Sequence, residues 1–568
     1  MSKKIVVVGG VAGGASAAAR ARRLDAQAEI VIFERGEHVS FSNCCLPYHL
    51  SGVIKNSESL VLMTPKEFKE KHDIDVFTGR EVVAVNRAEK TICVRDGETG
   101  RIDTESYDKL ILSPGASPLR PGSIEGVDKP HVFTVRNVTD VRALNAFIQR
   151  GDVKEVVVAG GGFIGVEVVE NLKEAGKDIT LVEGLNQIMA SFDYDMAQML
   201  HKELMDHGVK LLLDSTVTSI EDDKVIVRQG GRDTCVSAQA VVLSIGVRPE
   251  TKLAEDAGLK IGITGAIEVN HNYQTSDPDI YAVGDAIEVY NSLTRRPGRL
   301  ALAGPAQRQA RAAADHINGI PCVNKGVIGS SCLRLFEQNA ACTGLNEKAA
   351  KQAGIPYDFA YVLPPDKPGL MPDSRYMCFK LLFEVPTGRI LGAQAIGKGG
   401  VDKRVDVIAA MIAMNGTLED LKELELCYSP VFSTAKDVVN IAALVGLNIL
   451  NGRYRQVHVG DVRRLVEEGA YIVDVREERE YNAGHIKGAH NIPLSQLRQR
   501  MTEIPKDIPV YLHCRTSQRS YYALMYLQGN GYKNVTNISG SYLGISLYEY
   551  FNDKTLCRDR ILTEYNFA

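Results

Sequence analysis

The sequence has neither a surplus of basic charge nor a long uninterrupted apolar run. Its 66 lysine and arginine residues are outnumbered by 70 aspartate and glutamate residues, and the formal net charge is −4. Nucleic-acid binding depends on a basic field, so this balance excludes a general nucleic-acid binder. A membrane span needs about 18 consecutive apolar residues, and no segment reaches that length. We therefore expect neither a nucleic-acid nor a membrane partner.

Cysteine spacing typical of metal sites is also missing. The chain has 11 cysteines, an odd number, and no two of them form a C-x-x-C pair. This argues against the common cysteine-based zinc sites, and we predict no bound metal. Scattered cysteines in a large chain are typical of a reducing compartment, which predicts a cytoplasmic location.

A glycine-rich turn follows the first predicted strand, Ile5–Val8. Gly9 and Gly14 bound this turn, an alanine-rich helix comes next, and a second strand ends at Glu34, 20 residues past Gly14. Such a unit binds a dinucleotide, because the helix N-terminus faces the pyrophosphate and the acid accepts from ribose hydroxyls. Val11 stands where a second glycine is usual, so a plain glycine-rich strand-to-helix turn is the alternative.

A second turn of the same kind is complete. Gly160, Gly162 and Gly165 match G-x-G-x-x-G after the strand Val156–Ala159, and the next strand ends at Glu183. Two such units in one chain predict two bound nucleotides. No arginine or lysine directly follows Glu183. A 2′-phosphate would therefore meet an unbalanced carboxylate, and NAD(H) is favoured over NADP(H).

Two further segments complete a pattern. Leu110–Pro118 runs from a strand into a turn that contains Gly115, and Thr275–Ala286 ends a strand beside Asp285. With the two glycine turns, these segments make the chain resemble the pyridine nucleotide-disulfide oxidoreductases that have two dinucleotide-binding domains. The resemblance implies an FAD site with Asp285 on the ribityl chain, formed by Gly9, Gly14, Glu34, Gly115 and Asp285. It also implies an NADH site formed by Gly160, Gly162, Gly165 and Glu183.

The loop Ser40–Tyr48 indicates the branch of that family. It lacks the C-x4-C spacing of glutathione-reductase-like members and has adjacent Cys44 and Cys45 instead, whose direct disulfide would be strained. The loop resembles the S-F-x-N-C-x-L-P-Y signature of coenzyme A-disulfide reductases and their peroxidase and oxidase relatives. The resemblance implies that Cys44 is a redox-active nucleophile, whose thiol pKa its surroundings would need to lower. Cys45 is interpreted as a small space-filling residue, with a resolving or protective role as the alternative.

Polar and basic residues are candidates for binding coenzyme A. Ser40 and Asn43 flank Cys44 and are polar enough to hold a pantetheine amide or to orient the thiol. Arg20 and Arg23 lie on the first predicted helix. The resemblance places Arg23 on a coenzyme A phosphate, for which a guanidinium is suited. For Arg20, a solvated basic face of the helix is the alternative.

Tyrosines of the family's dimerisation domain provide a second group of candidates. Leu424–Pro430 resembles its Y-x-P segment, in which a tyrosine of one subunit approaches the thiol site of the other, and Tyr428 takes that position. Reductases of coenzyme A disulfide usually carry a further tyrosine where this chain has Leu370. That difference argues against a bulky disulfide as substrate. Tyr361 and Tyr376 are candidates to compensate for it.

The last hundred residues form a separate pattern. The strand Val510–His513 ends at Cys514, and the loop up to Arg519 leads into a helix. Backbone N–H groups of such a loop form an anion nest that stabilises a thiolate or persulfide. With the segment Asp474–Arg476, this resembles the rhodanese domain and implies a Cys514 persulfide held by a loop that includes Arg519. Asp474 and Arg476 are expected to form a structural ion pair, and Ser517 is expected to strain the loop if its φ is positive.

These resemblances imply a domain plan, and 568 residues suit about four domains. We predict an α/β fold with two Rossmann-like dinucleotide-binding domains, an α+β dimerisation domain and a C-terminal α/β rhodanese domain. The FAD-binding domain takes residues 1–150 and is rejoined by 245–322, and the NAD-binding domain takes 151–244. The dimerisation domain takes 325–448, which implies a homodimer, and the rhodanese domain takes 455–566.

The motifs lead to one main functional hypothesis and three alternatives. The chain is predicted to be an FAD-dependent, NADH-using reductase of coenzyme A persulfide and related persulfides that releases sulfide. Its rhodanese domain would relay sulfane sulfur. The expected partners are small thiol and persulfide substrates and, for the rhodanese domain, a protein sulfur acceptor. The alternatives are a coenzyme A-disulfide reductase, an NADH oxidase or peroxidase, and a sulfur-delivery or sensing protein with slow flavin turnover.

Overall fold

The computed structural model of the chain describes residues 2–567. These residues form two compact units. The first runs up to Gly184 and resumes with Leu212–Val327, and the second combines Leu185–Leu211 with the chain from Ile328 onward. Among the helices of the described chain, none is both long and apolar enough to cross a bilayer.

A five-stranded parallel sheet forms the first layer of the first unit. Its strands lie in the order Ile280–Ala282, Lys109–Leu112, Lys4–Val8, Glu29–Glu34 and Asp75–Thr78. Val7 lies opposite Ile32 on one side and Ile111 on the other, and all three are fully buried. Strands buried on both faces need a continuous apolar run rather than an alternating one, and each such side chain stabilises the fold by about 1.5–3 kcal/mol. The packing therefore accounts for the unbroken run Ile5–Val8.

Two helices of this unit pack on each other and share one core with the sheet. They are Ala12–Leu24 and Ala303–Ile317. Their buried faces consist largely of alanine, with Ala17, Ala18 and Ala313 fully inaccessible. Alanine combines high helix propensity with a small side chain, so it suits a close helix contact.

A second parallel sheet repeats the same local plan. Its strand Glu155–Ala159 lies between Asp178–Val182 and Ala240–Leu243, and Val132–Phe133 pairs with the outer side of the latter. The helix Phe163–Glu174 follows the central strand. Each parallel sheet thus contains a strand, glycine turn, helix and strand, and the predicted α/β fold with two Rossmann-like units is confirmed.

The rest of the first unit consists of antiparallel strands and short helices. One three-stranded meander consists of Arg80–Asn86, Thr91–Asp96 and Ile102–Ser106. A second consists of Ser215–Ile220, Lys224–Gln229 and Arg232–Ser237. Two strand pairs are Ala116–Pro118 with Val247–Pro249 and Val289–Asn291 with Arg296–Gly298. The other helices are Pro65–His72, Val138–Ile148 and Lys252–Asp256, with single 3₁₀ turns at Asn43–Cys45, Pro47–His49, Ser57–Leu60 and Gly284–Ala286. The short strand Lys210–Leu212 spans the point at which the chain passes from the second unit back to the first.

The second unit contains an antiparallel sheet and a small parallel sheet. The antiparallel order is Ser330–Leu335, Gln338–Gly344, Ile390–Gly397, Cys378–Glu384 and Tyr357–Val362. The helices near it are Tyr194–Asp206, Glu347–Ala353, Val401–Ala413, Leu418–Glu423 and Val438–Leu450. The parallel order is Gln456–Val457, Val535–Ile538, Val510–His513, Tyr471–Asp474 and His490–Asn491. Its helices are Val462–Glu467, Glu478–Ala483, Leu497–Arg500, Gln518–Gly529 and Ser541–Thr555, with 3₁₀ turns at Val459–Asp461 and Met501–Glu503.

The two sheets of this unit are joined by close packing at Gly540. This glycine has φ +71°, and a Cβ atom there would lie 2.5 Å from Cε1 of Tyr361. A side chain at this position would be strained by both its backbone angle and the contact. Tyr361 itself is buried, with 3% of its surface exposed. The parallel sheet is therefore fixed against the antiparallel sheet by a contact that only glycine allows.

Candidate active site

The first glycine turn leaves room where a pyrophosphate would lie. Gly9 has φ +90°, and a Cβ atom on it would lie 2.2 Å from the Ser113 carbonyl oxygen. A Cβ atom on Gly14 would lie 1.8 Å from the Gly9 carbonyl oxygen. The Glu34 carboxylate accepts from the Gly10 N–H at 2.8 Å, which fixes the end of its strand beside the turn. The turn therefore requires glycine for its own packing, and it brings the acid to the expected position.

A cavity of about 650 Å³ extends from this turn. Gly9, Glu34, Gly115, Asp285 and Asn43 are among the residues that line it. The Asn43 side-chain oxygen is buried without a hydrogen-bond partner in the described chain. Because an unpaired buried oxygen is costly, this atom suits a polar ligand group in the cavity. Size, glycine turn and unpaired oxygen together fit a dinucleotide.

Asp285 and Arg136 bring opposite charges to the cavity wall. Burial raises the pKa of Asp285, and the Arg136 guanidinium partly offsets that effect. Arg136 donates from Nε to the Ala116 carbonyl oxygen at 2.7 Å, which holds it beside Gly115. Sequence reasoning missed Arg136, since no motif marks it. Its only signal was a basic residue three positions after the strand Val132–Phe133.

The second glycine turn has the same geometry. Gly160 has φ +105°, and a Cβ atom there would lie 2.3 Å from the Ser244 carbonyl oxygen. The Glu183 carboxylate accepts from the Gly161 N–H at 2.6 Å. Gly162 precedes the helix, and no atom lies within 4 Å of a Cβ placed on it. This open face at the helix N-terminus suits a second pyrophosphate.

Cys44 lies on a short 3₁₀ turn, Asn43–Cys45, and its side chain is exposed. Ser40, which begins the loop, has φ +50° and donates its N–H to the Gly10 carbonyl oxygen at 2.8 Å. This bond ties the thiol loop to the first glycine turn. Surrounding atoms partly desolvate the thiol even though it is accessible, and this desolvation, followed by the charge of Glu167, raises the pKa of Cys44. The lowering expected from the sequence is therefore not supplied by these surroundings.

Cys514 directly follows the strand Val510–His513, and only 1% of its surface is exposed. Its N–H donates to the Ser541 hydroxyl at 3.2 Å. Ser517 has φ +73°, so the condition under which it was expected to strain the loop is met. Its hydroxyl donates to the Ile538 carbonyl oxygen at 3.0 Å. A left-handed serine costs about 1 kcal/mol or more, and this hydrogen bond offsets part of that strain.

Two ion pairs support the Cys514 loop. Arg519 donates through both terminal nitrogens to Glu480, at 2.6 and 2.7 Å. The fully buried Arg476 donates to Asp474 at 2.6 Å, and its guanidinium lies 4.0 Å from the Tyr542 ring centroid. The predicted pairing of Asp474 with Arg476 is thus present. The charge of Arg519 is thus paired with Glu480, which lies outside the loop.

Comparison with known proteins identifies the family and its domains. The family model for pyridine nucleotide-disulphide oxidoreductases matches residues 3–310, and the model for that family's dimerisation domain matches residues 333–438. The chain belongs to the pyridine nucleotide-disulphide oxidoreductases. A rhodanese-like domain model matches residues 458–547 of this oxidoreductase.

Relatives of this oxidoreductase include sulfur-handling enzymes. A coenzyme A disulfide reductase of Staphylococcus haemolyticus is 33% identical over 440 residues, which is 77% of this chain and 98% of that one. The crystal structure of reduced Bacillus anthracis CoADR-RHD is 43% identical, with a TM-score of 0.93 and coverage of 98% and 99%. An NAD-dependent persulfide reductase from A. fulgidus is 32% identical, with a TM-score of 0.89 and coverage of 95% and 99%. The resemblance inferred from the motifs is confirmed.

The structure separates the two candidate arginines of this oxidoreductase. Arg20 donates from Nε to Asp315 at 2.6 Å, so its charge is already paired. Arg23 is exposed and forms no ion pair within residues 2–567. Of the two, Arg23 is therefore the one whose charge is not neutralised by a neighbouring carboxylate.

The tyrosine candidates also differ in exposure. Tyr428 is 51% exposed, in a loop next to the buried pair of Arg404 and Asp437. Leu370, at the position of the missing tyrosine, is 95% exposed. Tyr361 packs against Gly540 and is not available to replace that tyrosine, which corrects the earlier expectation. Tyr376 is partly exposed, and its ring faces the guanidinium of Arg515 in the Cys514 loop at 5.6 Å.

Proposed function

We propose that the chain is an FAD-dependent, NADH-using reductase of coenzyme A persulfide and related persulfides, with a rhodanese domain that relays sulfane sulfur. The observation that carries this proposal is the presence of two differently built cysteine sites in one chain. Cys44 is exposed on a turn next to a residue that lines the dinucleotide cavity. Cys514 is buried at the head of a helix. A solved structure described as an NAD-dependent persulfide reductase covers 95% of the chain.

The proposed cofactor sites follow the two glycine turns. The residues assigned to FAD are Gly9, Gly14, Glu34, Gly115 and Asp285, and those assigned to NADH are Gly160, Gly162, Gly165 and Glu183. When bound, the flavin supplies the electron pair that it takes from NADH. Glu34 and Glu183 would accept from ribose hydroxyls in addition to the backbone N–H groups that they already bind.

Cys44 is the proposed nucleophile. Its thiolate attacks the inner sulfur of a coenzyme A persulfide, forms a Cys44–coenzyme A mixed disulfide and releases hydrosulfide. Two electrons then cleave the mixed disulfide, which returns Cys44 and frees the coenzyme A thiol. The balance is RSSH + NADH + H⁺ → RSH + H₂S + NAD⁺. Ser40, Asn43, Arg20 and Arg23 are the proposed contacts of coenzyme A, with Arg23 favoured over Arg20.

Cys514 would accept sulfane sulfur as a persulfide and pass it to a small thiol or a protein acceptor. Arg519 belongs to the loop proposed to hold that persulfide. The segment matched by the dimerisation model favours a homodimer, in which Tyr428 would approach the thiol of the other subunit. The proposal includes a cytoplasmic location. Its domains are the FAD-binding domain, 1–150 with 245–322, the NAD-binding domain, 151–244, the dimerisation domain, 325–448, and the rhodanese domain, 455–566.

A second candidate function is reduction of coenzyme A disulfide. It is favoured by the coenzyme A disulfide reductase that is 33% identical across most of the chain. Leu370 in place of a second tyrosine argues in the other direction. Anaerobic NADH oxidation by the FAD-loaded chain, with the persulfide and the disulfide at equal concentration, separates the two. Faster turnover on the persulfide supports the proposal, and faster turnover on the disulfide supports the alternative. NADH oxidation that needs only oxygen or peroxide would indicate an oxidase or peroxidase.

A further inference from the structure

Glu167 is an acidic residue of the first unit with no assigned role. It lies on the helix Phe163–Glu174, two residues after Gly165, and is half-buried. Within residues 2–567 its carboxylate has no hydrogen bond or ion pair. Burial, with a smaller effect of the nearby Glu170, raises the pKa of Glu167 to about 7. A carboxyl group with such a pKa can take up or release a proton near neutral pH.

The helix that carries Glu167 is joined to the thiol loop. Asn171 donates from its side chain to the Glu167 carbonyl oxygen at 2.8 Å. The Ser51 hydroxyl donates to the Asn171 side-chain oxygen at 2.6 Å. The same helix packs against the turn Pro47–His49, which follows Cys45 almost directly. These contacts hold the position of Glu167 relative to the loop that presents Cys44.

The Glu167 carboxylate and the Cys44 thiol interact electrostatically. After burial, the charge of Glu167 is the largest contribution to the raised pKa of the Cys44 thiol, ahead of Cys45 and Asp285. A proton moved from Cys44 to Glu167 removes that repulsion, because the carboxyl group becomes neutral as the thiolate forms. The arrangement thus favours a shared proton over two adjacent negative charges.

Other ionisable groups around the thiol are committed elsewhere. His49 has both ring nitrogens engaged, Nδ1 with the Ile54 carbonyl oxygen at 2.8 Å and Nε2 with the Asn145 side chain at 3.2 Å. Asp285 lines the dinucleotide cavity and faces Arg136. Glu170 is fully buried. Of the two partly accessible acids, Glu167 has the larger electrostatic effect on Cys44, and only Asp285 is offset by the charge of Arg136.

We propose that Glu167 holds the proton that is exchanged with the Cys44 sulfur during persulfide reduction, an inference that rests on the proposed function. In the first step the Cys44 thiol gives its proton to the Glu167 carboxylate, which yields a thiolate and a neutral acid. The thiolate attacks the persulfide, and hydrosulfide leaves. The acid then returns its proton to hydrosulfide, which departs as H₂S, and Glu167 is a carboxylate again.

The test compares Glu167→Gln with Glu174→Gln, an exposed acid on the same helix. Alkylation of Cys44 in the FAD-loaded full chain is followed against pH by mass spectrometry, and persulfide turnover is measured in parallel. Loss of the Glu167 charge should lower the thiol pKa, so that the midpoint of the alkylation profile falls by about one third of a pH unit or more and alkylation at pH 7 becomes at least about twofold faster. Loss of the proton holder should nevertheless slow turnover about 100-fold. Glu174→Gln should change neither quantity.

If Glu167 had only a structural role, its replacement would not make alkylation faster and turnover slower at the same time. Unchanged alkylation, or turnover within twofold of the wild type, would overturn the proposal. Glu167→Asp, which keeps a carboxyl group, should recover part of the turnover, and it replaces the glutamine variant if that variant does not fold. If the wild-type chain reduced no persulfide, the proposed function would fail, while the alkylation profile would still decide whether Glu167 and Cys44 share a proton.

Discussion

Arg519 in the Cys514 loop donates both of its terminal nitrogens to the carboxylate of Glu480, at 2.6 and 2.7 Å. This bidentate pairing holds the pKa of Glu480 below its usual range, so the acid is charged at neutral pH. The loop therefore presents a largely neutralised guanidinium to an incoming sulfur donor. Both side chains are about one-third exposed, so the pair is only partly desolvated.

Replacing Glu480 with glutamine should make the loop more attractive to anionic donors. A partly exposed charge pair is worth up to about 1 kcal/mol, so the KM for thiosulfate in sulfur transfer to cyanide should fall up to about fivefold. Steady-state kinetics of the full chain measure this change. Glu478→Gln, an exposed neighbour on the same helix, should leave KM unchanged. A KM for thiosulfate that rises in Glu480→Gln would show that Glu480 only supports the loop.

Replacing Asp474 with asparagine should destabilise the parallel sheet that carries Cys514. Asp474 and Arg476 are both buried, and removal of one partner of such a pair costs about 3–5 kcal/mol. Amide hydrogen exchange of the strand Val510–His513 in the full chain reports this loss. Asp507→Asn, an exposed site, is the matched control. Unchanged exchange in Asp474→Asn would show that the pair contributes no stability.

The same pair gives a pH dependence with a definite sign. Burial alone would raise the pKa of Asp474, but His513 and Arg476 outweigh it and lower that pKa. A carboxyl group with a lower pKa in the folded state stabilises the fold above its unfolded value of about 3.9. That contribution is lost as the pH falls through the folded pKa. Protection of the strand Val510–His513 should therefore decline in acid, and less so in Asp474→Asn.

Replacing Glu183 with alanine should weaken the preference for NADH over NADPH. The carboxylate, fixed by the Gly161 N–H at 2.6 Å, would repel a 2′-phosphate and accept from a ribose hydroxyl. The ratio of kcat/KM for NADH to that for NADPH should fall about tenfold, which corresponds to about 1.4 kcal/mol. Asp178→Asn, an exposed acid at the other end of the same strand, should keep the ratio. An unchanged ratio in Glu183→Ala would place the discrimination elsewhere.

Local sequence patterns were sufficient for the features that depend on neighbouring residues. The two glycine turns and the acids Glu34 and Glu183 lie at strand ends as predicted, because strand, turn and helix follow from residues close in the chain. The left-handed Ser517 could be anticipated only from the resemblance to rhodanese domains, which often have glycine at this position. The fold class and the family were confirmed.

Features that depend on long-range packing could not be predicted. Arg20 pairs with Asp315, which lies 295 residues further along the chain, and no periodicity indicates such a partner. Tyr361 was a candidate to replace the missing tyrosine, and only its packing against Gly540 excludes it. Arg136 and Glu167 carry no motif, and their environment comes from elements brought together only in the folded unit.

A single-turnover experiment on Cys44→Ser tests whether Cys44 is the nucleophile of persulfide reduction. The FAD-loaded chain is reduced anaerobically with one equivalent of NADH, one equivalent of coenzyme A persulfide is added, and released sulfide is counted. The account predicts about one sulfide per NADH for the wild type and for Cys45→Ser, and none for Cys44→Ser, because only Cys44 forms the mixed disulfide. Sulfide released by Cys44→Ser at the wild-type rate would contradict the account.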